Sequence, residues 1–340
     1  MTASFAHTLH RINLALLALS ALFLWVALSG ADWQQLLSSL SAAGRYLPLL
    51  LVPYALTSFL WTASWSALLA DAPAPPAGRL YLVRLAGESL NQLTPAASFG
   101  GEPFKAQLLH AEGVGWQEAT ASLAVHKAVT VLSLVCYILA ALLLLPAVLP
   151  RFPLPLALAG WVGTFVLGAG ASVFLWLQRR SPCSSLIRLL QRLGLCPAAL
   201  LSRQEELARF DATLSGFYRK RKRAAVIAFG LYLLGWAMHA LEVYLAFRIL
   251  GHPIPLELAL CLDGLSQLAS ALGFMIPASL GVQDGGIVGL SLVFNLGATL
   301  GAGLSVLRRL REACWLSAGL LAGVVLARDG KTRRRRNHHA

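Results

Sequence analysis

Apolar residues run through this chain in long blocks rather than in alternation with polar ones. Blocks of span length cover residues 12 to 30, 46 to 70, 128 to 149, 156 to 178, 224 to 248 and 299 to 327. Each is near the ~20 residues that an α-helix needs to cross a ~30 Å hydrocarbon core. Two further stretches, about 80 to 110 and 256 to 296, are apolar but broken near their middles by Pro and Gly. Between the fourth and fifth blocks, residues 179 to 223 carry Leu186, Leu189, Leu190, Leu193, Leu207, Phe210 and Leu214 at helical spacing among many arginines. That pattern predicts amphipathic helices lying on a membrane surface. The first block exceeds a signal-peptide core and no small-residue cleavage site follows it before Asp32, so it is expected to remain as a span.

Composition agrees with the pattern. Of 340 residues, 57% are hydrophobic and 13% charged, and the mean hydropathy is +0.66, which excludes an ordinary soluble domain. The net charge of +13 could suggest nucleic acid, but its distribution argues for a membrane instead. Eleven of the 28 Lys and Arg residues lie between Arg179 and Arg223, and six more between Arg328 and Arg336. Basic clusters beside spans mark the cytoplasmic face, where anionic head groups attract them by about 1 kcal/mol per charge. No nucleic-acid partner is expected. Anchoring residues 179 to 223 in the cytoplasm and counting spans outward puts both termini there, provided that the two broken stretches do not cross. They would then be re-entrant, one from each side.

The two broken stretches also resemble each other. "TPAASFGGEPFKA" and "IPASLGVQDGGIV" share Pro, Ala, Ser, a bulky apolar residue, Gly and then an acid, with a one-residue shift at the glycine. Pro95 precedes Glu102 by seven residues and Pro277 precedes Asp284 by seven; His126 and Lys127, and Arg308 and Arg309, follow those acids by 24 and 25. The expected fold is therefore an all-α polytopic membrane protein with about six full spans and two re-entrant helical hairpins in an inverted-topology repeat. Its halves would be residues 1 to 178 and 224 to 327, separated by the basic segment 179 to 223 and followed by a basic tail, 328 to 340. Transporters use such a repeat to build a site near the bilayer midplane.

A re-entrant hairpin must face protein or a watery cavity, because unpaired backbone costs several kcal/mol per group in hydrocarbon. The second half of each hairpin opens on an acid, and its free N–H groups suit a phosphate or carboxylate. Two readings of Glu102 and Asp284 stand at this point: ordinary helix caps, with Pro103 opening a helix and Lys105 as the i+3 partner of Glu102, or direct handling of substrate or protons. Glu88, Asn91 and Gln92 share one polar helix face turned toward the proposed cavity. "SVLRRLREACW" is the strongest charge problem: a last span of adequate length must contain Arg308, Arg309, Arg311 and Glu312. Each charge at depth costs ~2.5 to 3.5 kcal/mol, so each needs a partner. Arg308 and Glu312, at i and i+4, supply one pair, while Arg309 and Arg311 could meet Asp284 or a lipid phosphate. His126 and Lys127 mark a span interface, and His239 with Glu242 reads as an interhelical hydrogen-bond pair rather than a metal site. The five cysteines form no CxxC pair, so neither disulfide nor metal is expected. No GxxxxGK[ST], HExxH or GxSxG motif is present, and no cofactor or catalytic residue is expected.

"GESLNQLTPAASFGGEPFKAQLL", "IPASLGVQDGGIVGLSLVFNLG" and "GLSVLRRLREACWLSAGLL" together resemble the transmembrane, flippase-like family of lysylphosphatidylglycerol synthases, and within it the branch associated with hopanoid biosynthesis. The resemblance spans about residues 10 to 327. It implies a multi-pass protein of the bacterial inner membrane that moves or exposes lipids between leaflets, with membrane lipids as partners. Its first signature falls on Glu88, Asn91, Gln92, Pro95, Gly100, Gly101 and Glu102, and its second on Pro277, Gly281, Asp284, Arg308 and Arg309. Lys105 and Glu312 complete the expected substrate-binding set, for a hopanoid or another lipid bearing a phosphate or amine. The full synthases carry a soluble aminoacyl-transferase domain; this chain instead has a short basic tail, so it is not expected to be an enzyme. The alternative is a membrane subunit that docks enzymes of lipid synthesis through residues 179 to 223.

Overall fold

The computed structural model describes residues 44 to 69, 74 to 94, 100 to 193, 201 to 272, 276 and 279 to 338, with a few isolated positions besides. The expected first span, 12 to 30, lies outside them, as do Pro95 and Pro277. The described residues contain eleven α-helices and no strand. A 3-10 helix, Gly44–Leu50, leads into α1 (Leu51–Leu68); α2 (Ala77–Leu93) and α3 (Glu102–Ala111) form the first broken hairpin; α4 (Trp116–Val148) and α5 (Leu154–Arg179) follow. Helices α6 (Pro182–Arg192) and α7 (Gln204–Lys220) occupy the basic segment. The second half contains α8 (Lys222–Ile249), the hairpin α9 (Leu256–Leu272) and α10 (Val282–Val293), and α11 (Ala298–His338). Four of these, α4, α5, α8 and α11, are long and apolar enough to cross a membrane. The 46 to 70 block is divided between the 3-10 helix and the 18 residues of α1.

Both broken stretches are helix, break, helix. At ~1.5 Å per residue, α2 and α9 are about 26 Å long and α3 and α10 about 15 and 18 Å, so no half reaches across a ~30 Å core. Thr94 ends α2 in an extended conformation (φ −96°, ψ 132°), as expected before a proline, whose ring disfavours helix at the preceding residue. The returning chain then lies against α2 so closely that a Cβ on Gly101 would overlap the Gly87 carbonyl. In the second hairpin Gly281, with φ +81°, opens α10, a left-handed backbone that glycine adopts without a Cβ penalty.

The packing is reciprocal. α1 and α8, each the helix before a hairpin, pack on one another. Each long helix after a hairpin touches the second half of its own hairpin and the first half of the other: α4 meets α3 and α9, and α11 meets α10 and α2. Small residues allow the close approaches. A Cβ on Gly319 would overlap Ser89 Oγ and the Leu85 carbonyl of α2, and one on Gly235 would overlap the Trp61 indole of α1. Such contacts suit helices in lipid, where packing rather than water exclusion drives association. The apolar core lies between α4, α8 and α9, around Ile138, Leu142, Val243, Phe247, Leu262 and Leu265.

Helices α4 and α11 both begin earlier than the apolar pattern suggests or run further. His126 is buried inside α4, stacked 5.8 Å from Trp65, rather than at a span interface. α11 continues through the basic tail to His338. In the basic segment, the Asp211 carboxylate of α7 accepts the Cys183 and Ser184 N–H groups at 3.1 and 2.7 Å, capping α6 from outside. Burial, reinforced by the Asp211 charge, pushes the Cys183 thiol up to about 11. The outer face of α6 keeps Leu186, Leu189 and Leu193 exposed.

One ion pair ties α11 to α9. Arg308 Nη2 lies 2.5 Å from Asp263 Oδ1 and Nη1 donates to Ser266 Oγ at 3.2 Å, while Tyr137 OH of α4 donates to Asp263 Oδ2 at 2.9 Å. Arg308 therefore does not pair with Glu312 as its i,i+4 spacing suggests. Asp263, completely buried, stands across the helix interface with no other cation within ion-pair distance among the described residues.

Gly319→Leu will force α11 off α2 and lower stability by about 1 to 3 kcal/mol, read as a drop in the thermal unfolding midpoint in detergent. Asp263→Asn will cost more, about 3 to 5 kcal/mol, because it strands a buried guanidinium. Adding Arg308→Gln will recover part of that loss. A double variant no more stable than Asp263→Asn would show that the pair does not hold α11 to α9.

Candidate functional site

A cavity of about 270 Å³ opens where the two hairpins face each other. The end of α2 contributes Arg84, Glu88, Asn91 and Gln92; the second hairpin contributes Gln267 and Ser270 of α9, Ser279 of the break and Gln283 of α10; α11 contributes Arg311 and Glu312. Tyr54 and Trp61 of α1 and Trp236 and His239 of α8 form the remaining wall. The reciprocal packing of the helices thus brings one polar face from each half to a common space.

The aromatic wall is stacked on itself. Trp61 lies between Tyr232 and His239, with ring centroids 4.6 and 5.5 Å away. Trp236 stacks on Tyr137 at 5.7 Å. Two guanidiniums lie over these rings, Arg84 at 5.2 Å from Trp61 and Arg311 at 4.3 Å from Tyr54, which partly offsets their burial. Indole N–H groups are used within the wall: Trp61 donates to the Tyr232 carbonyl and Trp236 to Ser133 Oγ.

Behind the cavity, most charges are joined in ion pairs. Lys105, 1% exposed, places Nζ 3.0 Å from Glu88 and 2.8 Å from Glu102. Arg309 forks onto Asp284 through Nε and Nη2 at 2.9 and 2.7 Å and reaches Glu312 through Nη1 at 2.7 Å, the bidentate geometry that makes such pairs strong. Arg311 Nε is 3.1 Å from Glu242, close but misaligned for a hydrogen bond, since Nε finds no acceptor. Arg84 donates to Ser58 Oγ at 2.9 Å and lies one helical turn before Glu88. With Arg308 on Asp263 and Lys127 beside Glu102 at the edge of the adjoining groove, the buried region holds six cations and six carboxylates.

The residues singled out from sequence divide into two groups. Glu88, Asn91, Gln92 and Glu312 line the cavity; Glu102, Lys105, Asp284, Arg308 and Arg309 stand behind it and hold its walls. Glu102 is not the cap of α3. Gly101 occupies that position, its N–H donating to Asn91 Oδ1 at 2.7 Å, and the Glu102 carboxylate accepts from Lys105 and from Asn91 Nδ2 at 3.3 Å. Gly100 sits where a Cβ would overlap the Thr94 side chain. Asp284 does take part in capping: Oδ2 accepts the Gly281 N–H at 3.0 Å, while Oδ1 accepts Ser305 at 2.5 Å. His239 and Glu242 do not bond to one another; Glu242 faces Arg311, and both ring nitrogens of His239 are buried without a partner.

Arg84, Asp263, Gln267 and Gln283 were not singled out from sequence. Arg84 and Asp263 had a signal, since each is a lone charge inside an otherwise apolar turn, in "YLVRLAG" and "LCLDGLS". The two glutamines had none. Among the described residues no group of three His, Cys, Asp or Glu side chains is placed to hold a metal ion.

A second space adjoins the first. A groove of about 620 Å³ between α3, α4, α5 and the basic segment is walled by Ala106, Leu123, Phe174, Leu177, Phe210 and Leu214. Among the described residues its charged lining side chains are Glu102 and Lys127. Glu102 borders the groove and Glu88 borders the cavity, and both Lys105 and Asn91 bond to the two carboxylates and stand between them.

Comparison with known proteins matches residues 13–318 to the family described as the lysylphosphatidylglycerol synthase TM region. A UPF0104 membrane protein of Methanothermobacter thermautotrophicus (strain Delta H) is 26% identical over 317 residues, covering 88% of each chain. No solved structure matches. A match to a family over nine-tenths of the chain, on helices of membrane-spanning length, leaves one assignment: this protein is a multi-pass membrane protein belonging to the lysylphosphatidylglycerol synthase transmembrane-region family.

Proposed function

We propose that this protein is a flippase-like lipid transporter, without catalytic activity or cofactor of its own. One observation carries the reading: a polar cavity walled by both broken hairpins and an apolar groove are linked by the Glu88, Lys105 and Glu102 chain. A lipid needs both environments at once, and a solute of either kind alone needs only one. Reciprocal packing of α1 to α4 on α8 to α11 supports an inverted-topology repeat, in which the hairpins are re-entrant from opposite sides and the cavity lies near the midplane. Basic residues in 179 to 223 and 328 to 336 support cytoplasmic termini in a bacterial inner membrane. Sequence resemblance to the hopanoid-associated branch makes a hopanoid the first lipid to test.

Docking of lipid-synthesis enzymes on α6 and α7 is the competing reading, favoured by the exposed Leu186, Leu189 and Leu193. The two separate in vesicles. Purified protein reconstituted with fluorescent lipid analogues will equilibrate them between leaflets faster than protein-free vesicles. Lys105→Met, which removes the cation between the two acids, and Glu312→Gln will each change that rate at least tenfold, measured by dithionite quenching of the outer leaflet. Deleting 182 to 220 will leave the rate within about threefold. No redistribution by the intact protein, in any lipid extract of its host, would refute transport and leave docking.

A further inference from the structure

Most side chains of the cavity wall are bonded to one another, and three neutral ones are not. Glu88 is held by Lys105, Glu312 by Arg309, and Arg311 by Glu242, whereas Arg84 has Ser58 Oγ and the Trp61 ring but no carboxylate within ion-pair distance among the described residues. Gln92 and Gln283 make no side-chain hydrogen bond among the described residues, although Gln283 is only 6% exposed. His239, also 6% exposed, leaves both ring nitrogens unpartnered. Buried amide and imidazole groups normally find partners, and leaving one unmade costs more than the bond contributes. These three groups share a property: each carries a donor and an acceptor in its neutral form. A hydroxyl is the ligand group that matches both at once.

Charged head groups fit less well. An ammonium would normally seek the aromatic faces, but Arg84 and Arg311 already lie over Trp61 and Tyr54. A phosphate would find Arg84 and Arg311, yet it would also face the Glu88 and Glu312 carboxylates in the same wall. Because the buried charges balance, any charged guest leaves the region with an uncompensated charge at low dielectric, which is expensive. Volume sets the size: about 270 Å³ is just below the ~300 Å³ at which pockets for whole drug-sized ligands begin.

We propose that the cavity binds a single neutral, polyhydroxylated head group, one sugar or polyol unit, bridged by Gln92 of the first hairpin and Gln283 of the second with His239 as the third contact. This rests on the lipid-transport reading and narrows it, away from the phosphate or amine that resemblance alone implies. A ligand held by one carboxamide from each hairpin couples their positions to occupancy.

The test uses the full chain in phosphatidylcholine nanodiscs, free of sugar-headed detergent, with radiolabelled methyl glucoside, ribitol, glycerol phosphate and choline in equilibrium dialysis. Saturable binding of methyl glucoside or ribitol is expected, with neither glycerol phosphate nor choline bound or competing. Gln92→Leu and Gln283→Leu should each weaken it at least tenfold, with unchanged helical circular dichroism and thermal unfolding; His239→Phe, if folded, should do the same. Saturable binding of glycerol phosphate or choline without the polyols would overturn the proposal, as would no polyol binding at all, or polyol binding indifferent to both glutamine variants. Failure of the transport reading is separate: it is read from lipid redistribution in vesicles, and polyol binding can stand when redistribution is absent.

Discussion

Everything else in this molecule depends on the pairing of charge inside hydrocarbon. Four charged residues fall within five positions of α11, from Arg308 to Glu312, and none can be left alone at depth without a cost of several kcal/mol. Their partners are spread over other helices: Asp263 on α9, Asp284 on α10 and Glu242 on α8. A single stretch of one helix therefore dictates where three others must stand. The first half repeats the device, with Lys105 of α3 drawn between Glu88 of α2 and its own neighbour Glu102.

How much of this was legible in sequence depended on whether the signal was local. Breaks near residues 95 and 277 showed as Pro and Gly inside apolar runs, and they separate α2 from α3 and α9 from α10. Arg309 with Asp284 was within reach because the internal similarity put them at matching offsets. Arg308 was assigned the wrong partner because i,i+4 spacing on one helix was the only geometry available. Its true partner is 45 residues away on another helix and is brought near only by the tertiary fold. Gln283 and Gln92 could not be graded against each other or against other polar residues, since what distinguishes them is a bond they do not make.

Glycine carries a comparable weight at the helix contacts. Gly101 admits the return of the first hairpin against α2, Gly235 admits Trp61, and Gly319 lets α11 close on α2. Sequence shows these as small residues in apolar helices, a pattern common in membrane proteins. Only the backbone shows which face each one serves. The contacts of α11 with both hairpins include both kinds of approach, Gly319 on α2 and the Arg309 pair with Asp284 on α10.

Lys105 is the point at which stability and the proposed activity meet. Its ammonium is shared by Glu88, which opens on the polar cavity, and Glu102, which opens on the apolar groove. Shifting it from both carboxylates to one keeps the ammonium paired, and the released carboxylate keeps the Asn91 amide, which bonds to both acids. A partition made of a single salt bridge would have to break to open. A cation held by two acids, one on each side, needs only to lean.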